Sequence, residues 1–196
     1  AVKGVDPTIQ TTCNTSTVIN DPEMSARFFK VFDILQPELT SLKSNAHLRE
    51  WVRKSGKTLW TYKCNGGLGS RGKNPYEYYR VYAWDLVKYG LTGTGVWTYC
   101  AQAQSQRLGG YLLIHRLGDE VTHARRYEMF REGIDDYRYI SALREVAKRR
   151  GSAAVRKAEK LIQQAVDDVT SHVEDTTLCD KWRRRIAKEI IANLHS

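Results

Sequence analysis

The sequence predicts an α/β protein in which a parallel sheet is covered by helices and followed by a helical C-terminal region. Short runs rich in β-branched and aromatic residues alternate with amphipathic segments, and this βαβ order favours parallel strands joined by crossover helices. After residue 110 the alternation gives way to long helical sequence. The predicted strands are 8–13 (TIQTTC), 31–35 (VFDIL), 58–64 (TLWTYKC) and 95–100 (GVWTYC).

Three helices are predicted between these strands, and capping residues mark their ends. The segment 21–30 opens with Asp-Pro-Glu, in which the aspartate caps the helix and the proline takes the first helical position. The segment 44–55 is amphipathic and stops at Gly56. The segment 74–89 opens with Asn-Pro and stops at Gly90.

The last third of the chain is predicted to be mostly helical. The run 111–115 (YLLIH) is one more predicted strand, and we expect Asp119 and Glu120 to cap a helix over 121–150. Two further helices are predicted over 152–174 and 178–194. The pattern divides the chain into 1–110, which carries the sheet, and 111–196, whose strand and helices pack on it.

Composition and charge narrow the class of function. The chain has 196 residues, of which 41% are hydrophobic, and a net charge of +9. No run approaches the roughly 20 apolar residues of a membrane-spanning helix, so no membrane partner is expected. The basic residues are interspersed with acids and no nucleic-acid-binding motif accompanies them, so we expect solvated helix faces and no nucleic acid.

The four cysteines are far apart and have no metal-site spacing. We therefore expect buried free thiols, no metal and an undetermined redox compartment. The five histidines likewise show no metal spacing and no nucleophile partner, so none is a candidate catalytic base.

The glycine-rich stretch 67–73 imitates both a P-loop and a dinucleotide-binding fingerprint. A P-loop needs Ser or Thr after its lysine, whereas Asn74 and Pro75 follow Lys73. A dinucleotide site needs an acidic residue at the end of the next strand, which here ends in Tyr99-Cys100. We therefore predict a surface loop and no nucleotide cofactor.

Aromatic residues cluster near the C-terminal ends of two predicted strands. These are Trp60 and Tyr62 on one strand and Trp97 and Tyr99 on the next. In βα folds this end of the sheet forms binding sites, and aromatic faces stack on the C–H faces of sugars. The pattern indicates a sugar site, with packing between strand and helix as the alternative.

Several stretches, taken in order over about 5–142, resemble one enzyme family. They are FDILQPEL (32–39), LWTYKC (59–64), YRVYAWDLVKYGLTGTGVWTY (79–99) and RYEMFREGIDDYRYI (126–140). The last carries a spaced pattern, R-x-E-x-x-R-x-G-x-x-D-Y, from Arg126 to Tyr137. Together they are similar to the C-terminal half of the catalytic domain of glycoside hydrolase family 123 and its uncharacterised relatives.

The resemblance implies a fold and a reaction. It implies that the four predicted strands are strands 5 to 8 of a (β/α)₈ barrel, followed by the C-terminal helical region. It also implies hydrolysis of β-linked N-acetylgalactosamine, in which the substrate's own acetamido oxygen attacks and an Asp-Glu pair assists. That pair ends the fourth barrel strand, so it would lie outside this chain, and no catalytic residue is assigned here.

A half barrel leaves an open parallel edge, so the resemblance also implies a partner. We expect a second polypeptide carrying the N-terminal half of the barrel, or another copy of this chain. Relatives that degrade glycans lead us to expect a secreted or periplasmic location, which the residues themselves do not determine.

The predicted substrate contacts follow from the strand ends and the resemblance. They are Trp97, Tyr62, Asp33, Trp60, Tyr99 and Asn14. For Asp33 the alternative is a structural hydrogen bond. Structural roles are also predicted for Arg80, Asp85 and the charged residues at 126–136, since helix residues of a barrel face the sheet or the outside.

Other functions remain open on the sequence alone. The first is a non-catalytic carbohydrate-binding or structural module. The others are a basic nucleic-acid-binding protein, which would bind in a strongly salt-dependent way, and a nucleotide-binding α/β protein that uses the glycine-rich stretch.

Overall fold

The computed structural model describes residues 6–14, 23, 27, 30–64, 74–97, 99 and 112–195. The chain forms two compact units. The first consists of the described residues within 1–66 and 90–98, and the second of those within 67–89 and 99–196. The segment 74–89 thus belongs to the helical unit, although it precedes the last strand of the sheet. The predicted division at residue 110 stays a prediction.

A four-stranded parallel sheet forms the centre of the first unit. Its strands are β1 (Thr12–Cys13), β2 (Ile34–Leu35), β3 (Thr58–Cys64) and β4 (Gly93–Trp97), and they are arranged in the order β1-β2-β3-β4. All three strand pairs are parallel. The predicted α/β class with a parallel sheet is therefore confirmed, and β3 has the predicted bounds.

Three predicted strands have different bounds in the structure. β1 is short because Thr8 donates its amide and hydroxyl hydrogens to the Asp6 carboxylate, which makes a local turn. β2 is short because Val31 is still helical. β4 begins two residues earlier than predicted, since Gly93 pairs in register with Trp60.

Helices α1 (Leu39–Ser44) and α2 (Ala46–Ser55) connect β2 to β3. The Glu38 carboxylate caps α1 by accepting from the amides of Thr40 and Ser41. Asn45 caps α2 and Gly56 ends it at φ 66°. The predicted helix 44–55 corresponds to α2, whereas α1 was not predicted. In the earlier predicted helix 21–30, the described residues 23, 27 and 30 are helical.

The second unit is mainly helical. A π-helical segment (Tyr76–Arg80) continues into α3 (Val81–Lys88). Three long helices follow, α4 (Arg125–Arg150), α5 (Ser152–Ser171) and α6 (Leu178–His195). Their core is one cluster of buried side chains that includes Trp84, Ile140, Leu143, Ala165 and Ile186. A helical C-terminal region is thus confirmed.

A β-hairpin precedes α4, where a helix start was predicted. Strands β5 (Ile114–Leu117) and β6 (Glu120–His123) pair antiparallel, and Gly118 turns the chain at φ 61°. The prediction that Asp119 and Glu120 cap a helix is therefore wrong: both are exposed in the hairpin, and α4 begins only at Arg125. In the hairpin, backbone N–H and C=O groups of 120–123 form hydrogen bonds with β5. They are therefore not free to form the first hydrogen bonds of a helix.

Across the ranges that the structure describes, no helix combines the length and the apolar character that crossing a membrane requires.

Candidate functional site

Parallel pairing of β3 with β4 places aromatic side chains and glycines on one face of the sheet. Trp60 pairs with Gly93 and Tyr62 pairs with Gly95. Side chains of register partners in a sheet point to the same face, and alternate residues along a strand share a face. We call this surface the Trp60–Tyr62 face; it consists of Gln36, Trp60, Tyr62, Gly93 and Gly95.

The Trp60 indole lies directly on the backbone of Gly93. A Cβ atom added at Gly93 would lie 2.4 Å from three atoms of the five-membered ring, Cδ1, Cδ2 and Nε1. The added atom would therefore point into the ring face, so a larger residue at 93 requires the Trp60 ring to move. One face of the indole packs on β4, and the side chain as a whole is partly exposed.

Gln36 supplies an amide to the same face. Its Nε2 donates to the Thr61 carbonyl oxygen at 3.4 Å and lies 3.0 Å from the position of a Cβ at Gly95. Gln36 is not among the predicted substrate contacts. The available signal was its position directly after β2, at the C-terminal end of a parallel strand, where binding residues are frequent in such sheets.

The segment that follows β2 is tied to β3 by hydrogen bonds to one carbonyl group. The Pro37 carbonyl oxygen accepts from the Thr61 hydroxyl at 2.8 Å and from the Tyr62 amide at 3.2 Å. Thr61 is completely buried, so these bonds are shielded from water. They hold Gln36 and Tyr62 in a defined relation to each other.

Asp33 lies at the other end of β2, before the strand begins. Its Oδ2 accepts from the Thr11 amide at 2.8 Å and from the Thr11 hydroxyl at 3.0 Å. These bonds join the chain before β1 to the chain before β2. The geometry favours the structural alternative for Asp33 and separates it from the Trp60–Tyr62 face.

The other predicted contacts are distributed as follows. Asn14 directly follows β1 and is exposed. Trp97 is the last residue of β4 and pairs in register with Cys64, and its side chain lies outside the described part. Tyr99 belongs to the second unit, where its carbonyl oxygen accepts from the Ile114 amide. Of the six, the structure brings Trp60 and Tyr62 together on one face.

A buried charge network lies inside the second unit. Asp136 is 1% exposed and accepts hydrogen bonds from Arg80 Nε at 3.0 Å, from Trp84 Nε1 at 3.2 Å and from Arg183 Nε. Arg80 also bonds to Asp180. Three separate helical elements are therefore connected through a single carboxylate.

The electrostatics of this network follow from its burial. Burial raises the pKa of the Asp136 carboxyl, and the guanidinium groups of Arg80 and Arg183 oppose that rise. Burial alone would lower the pKa of Arg80, but hydrogen bonds to Asp136 and Asp180 raise it well above its usual value. Arg80 and Asp136, the centre of the network, are buried in protein, which favours the structural role that the sequence predicts for both.

Close packing explains why the R-x-E-x-x-R-x-G-x-x-D-Y pattern has a glycine at position 133. A Cβ there would lie 2.8 Å from the Arg80 carbonyl oxygen and 3.2 Å from the Ala83 Cβ. The glycine lets α4 approach the π-helical segment closely enough for Asp136 to reach Arg80. On the exposed side of the same helix, Arg131 pairs with Glu128 at 3.0 Å.

The described residues offer few side chains that could bind a metal ion or act as a thiol nucleophile. Among the described residues, no group of three or more His, Cys, Asp or Glu side chains could hold a metal ion. Cys13 and Cys179 are free thiols, and burial raises the pKa of Cys179 to about 12. Such a thiol is a poor nucleophile at neutral pH. The predicted loop 67–73 and Cys100 lie outside the described residues.

Comparisons with known proteins add no relative. No protein-family model matches the sequence, and no curated protein matches it.

Proposed function

We propose that this chain is part of a glycoside hydrolase acting on β-linked amino sugars of the N-acetylgalactosamine type. In this proposal the chain supplies substrate contacts and is the second half, strands 5 to 8, of a (β/α)₈ barrel. The catalytic Asp-Glu pair lies in sequence outside this chain. The proposal rests on the resemblance of four stretches of sequence and on the geometry of the Trp60–Tyr62 face.

One observation carries the proposal: two partly exposed aromatic side chains of β3 lie next to two glycines of β4, and Gln36, directly after the C-terminal end of β2, lies beside them. The glycines at 93 and 95 let the Trp60 ring and the Gln36 amide lie close against β4. A sugar ring can lie against Tyr62 while the Gln36 amide oxygen accepts from a hydroxyl or acetamide group. The combination of an aromatic ring and an amide suits a polar ligand with apolar C–H faces.

The parallel sheet supports the need for a partner. Within the described residues, β1 and β4 each have one edge without a paired strand. Parallel sheets are usually covered and their edges closed, because free edges promote aggregation. We propose that a second polypeptide with the N-terminal strands, or another copy, completes the barrel.

The position of Asp119-Glu120 supports placing the catalytic pair elsewhere. It is the only Asp-Glu dipeptide in the sequence, and both residues are exposed in the turn and first position of a hairpin. The family resemblance instead expects the catalytic pair at the end of a parallel barrel strand.

A second candidate is a non-catalytic carbohydrate-binding module. One observation favours it: no described parallel strand of this chain ends in an Asp-Glu pair. The two candidates share the Trp60–Tyr62 face and differ in whether a second polypeptide is required.

Sugar binding to this face is tested by calorimetric titration with methyl β-N-acetylgalactosaminide. We expect Tyr62→Ala to weaken binding about tenfold or more, since a lost stacking contact of about 1.4 kcal/mol changes the affinity tenfold. The control is Tyr139→Ala, which removes an exposed tyrosine from α4 in the other unit. Equal binding by both variants, or no binding by the parent protein, would exclude this face as the sugar site.

The two candidates are separated by native mass. The purified material is weighed before and after denaturation and compared with the 22.5 kDa of this chain. A co-purifying polypeptide with an Asp-Glu strand supports the split enzyme. A folded monomer that binds the sugar without hydrolysing it supports the module.

A further inference from the structure

The exposed side of α6 carries a row of cations. We call it the α6 basic stripe; it consists of Lys181, Arg184, Arg185 and Lys188, all of which are exposed. Residues three and four apart lie on one side of a helix, and seven residues at 1.5 Å each make the stripe about 10 Å long. The opposite side of α6 is buried in the core through Leu178, Cys179, Trp182 and Ile186.

The acidic residues on and just before α6 have their main hydrogen bonds and ion pairs with other groups, while Asp180 attracts Arg184 and Asp175 attracts Lys181 at longer range. Asp180 bonds to Arg80, and Glu189 pairs with Lys157 at 2.6 Å. Just before the helix, Asp175 accepts from the amide and hydroxyl of Thr177. Within the described part of the chain, none of the four cations of the stripe forms a salt bridge with a carboxylate.

Some cations on the neighbouring helices form salt bridges, whereas others there, such as Arg149 and Arg156, are exposed and form none within the described residues. Arg144 pairs with Glu159 at 2.8 Å, and Lys148 pairs with Glu145 at 2.7 Å. These are the balanced, solvated helix faces that the sequence predicts. Like charges at helical spacing repel, so the α6 basic stripe lowers the stability of its own helix unless an anion neutralises it.

Two contacts hold part of the stripe in place before any ligand arrives. The Arg185 guanidinium lies 4.9 Å from the centre of the Trp182 ring. Arg184 Nε donates to the Asp180 carbonyl oxygen at 3.2 Å. Side chains that are already ordered lose less conformational entropy on binding.

We propose that the α6 basic stripe binds an anionic polysaccharide, an amino-sugar polymer that carries carboxylate or sulfate groups. This inference rests on the proposed function, because a hydrolase of amino sugars meets its substrate as part of a polymer. Guanidinium and ammonium groups are the natural partners of sulfate and carboxylate. Single-stranded nucleic acid fits less well, because it needs exposed rings for stacking and Trp182, the aromatic residue at the stripe, is buried.

The test uses chondroitin sulfate, a commercial polymer of alternating N-acetylgalactosamine and glucuronate. Its binding is measured at several salt concentrations for the parent protein and for the double variant Arg184→Gln with Lys188→Gln. We expect about a tenfold or greater loss of affinity and a smaller dependence on salt, because fewer counterions are released on binding. A second pair, Lys181→Gln with Lys188→Gln, gives the same result if the stripe acts as a unit.

The control carries the same loss of charge elsewhere. Arg53→Gln with Lys54→Gln removes two exposed cations from α2, where both pair with Glu50. We expect less than a twofold change in affinity. Far-UV circular dichroism of each variant verifies that the helices are intact.

Several outcomes would overturn the inference. Absence of binding, or an equal loss in the α2 control, removes the stripe as the site. Preferential binding of duplex DNA replaces the polysaccharide with nucleic acid. Preferential binding of phosphatidylserine vesicles replaces it with a membrane surface, for which Ile191 (55% exposed) and Leu194 (60% exposed) would supply apolar contacts.

Different ligands and variants distinguish failure of the proposed function from failure of the α6 basic stripe. The neutral methyl β-N-acetylgalactosaminide and the Tyr62→Ala variant report on the Trp60–Tyr62 face in the first unit. Chondroitin sulfate and the α6 variants report on the second unit.

Discussion

The two units of this molecule use their polar and aromatic groups in opposite ways. In the helical unit, Asp136 accepts hydrogen bonds from Arg80, Arg183 and Trp84, and Asp136, Arg80 and Trp84 are buried. In the sheet unit, Trp60 and Tyr62 are only partly buried and lie beside glycines. Groups whose hydrogen bonds are satisfied inside the protein stabilise it, whereas groups left open near strand ends are available to a ligand.

The largest effect on stability is expected from a substitution that breaks the buried hydrogen-bond network around Asp136. Asp136→Asn leaves two guanidinium groups facing a neutral amide, and we expect a loss of about 3–5 kcal/mol in the free energy of unfolding, since a broken buried ion pair leaves an uncompensated charge. The measurement is urea denaturation followed by helical circular dichroism. The matched control is Asp135→Asn on the same helix, whose exposed pairs are each worth about 1 kcal/mol or less. Similar losses in both variants would contradict the role given to Asp136.

A smaller loss is expected at the glycine that permits the network. Gly133→Ala places a methyl group against the Arg80 carbonyl oxygen, and α4 must move away. Overpacking of this kind costs about 1–3 kcal/mol. Urea denaturation measures the loss, and combining Gly133→Ala with Asp136→Asn should cost less than the sum, because both changes disturb the same contact.

On the Trp60–Tyr62 face, replacing a glycine should affect sugar binding more than it affects stability. Gly93→Ala pushes the Trp60 ring off β4, and we expect about 1 kcal/mol or less in stability, because the ring is free to rotate away. We expect a shift in tryptophan fluorescence and a loss of affinity for methyl β-N-acetylgalactosaminide. Gly95→Ala is the paired variant and should disturb Gln36 while leaving Trp60 in place. Unchanged sugar affinity in both would separate the glycines from any binding role.

The smallest effect concerns acid stability. The hydrogen bond from Arg80 lowers the pKa of Asp180, so its stabilising contribution is present above the usual aspartate pKa and is lost as the pH falls through the lowered value. Because the Asp180 side chain is about half exposed, we expect about 1 kcal/mol or less. Stability measured between pH 5 and pH 2 should fall less steeply for Asp180→Asn than for the parent. Parallel curves would show that Asp180 contributes nothing.

Local patterns predicted some elements well and others poorly. β3 was predicted with the observed bounds, because the seven residues of TLWTYKC are rich in threonine and aromatic residues and are followed by Asn65 and Gly66. β6 was missed, although Gly118-Asp119 is a hairpin signal, because Glu120 and the residues after it were read as a helix start. Its strand conformation depends on pairing with β5, which a single segment does not reveal.

The candidate site was predicted in part for the same reason. Period-two alternation places Trp60 and Tyr62 on one face, so their proximity was predictable. The packing of Trp60 on Gly93 depends on the register of β3 with β4, and the link between Arg80 and Asp136 spans 56 residues of sequence. Such pairings arise from tertiary structure, and Gln36 was overlooked because its neighbours in space lie on other strands.

The π-helical segment constrains how many residues the chain can have in this turn. A π turn accommodates one more residue than an α turn. Tyr76, Tyr79 and Arg80 are all buried there, and Val81–Leu86 are buried in one continuous run. Deleting one residue would turn this segment into an α turn with one residue fewer, so Tyr76 would move along the helix relative to Arg80. Over evolutionary time this turn should therefore accept substitutions more readily than insertions or deletions.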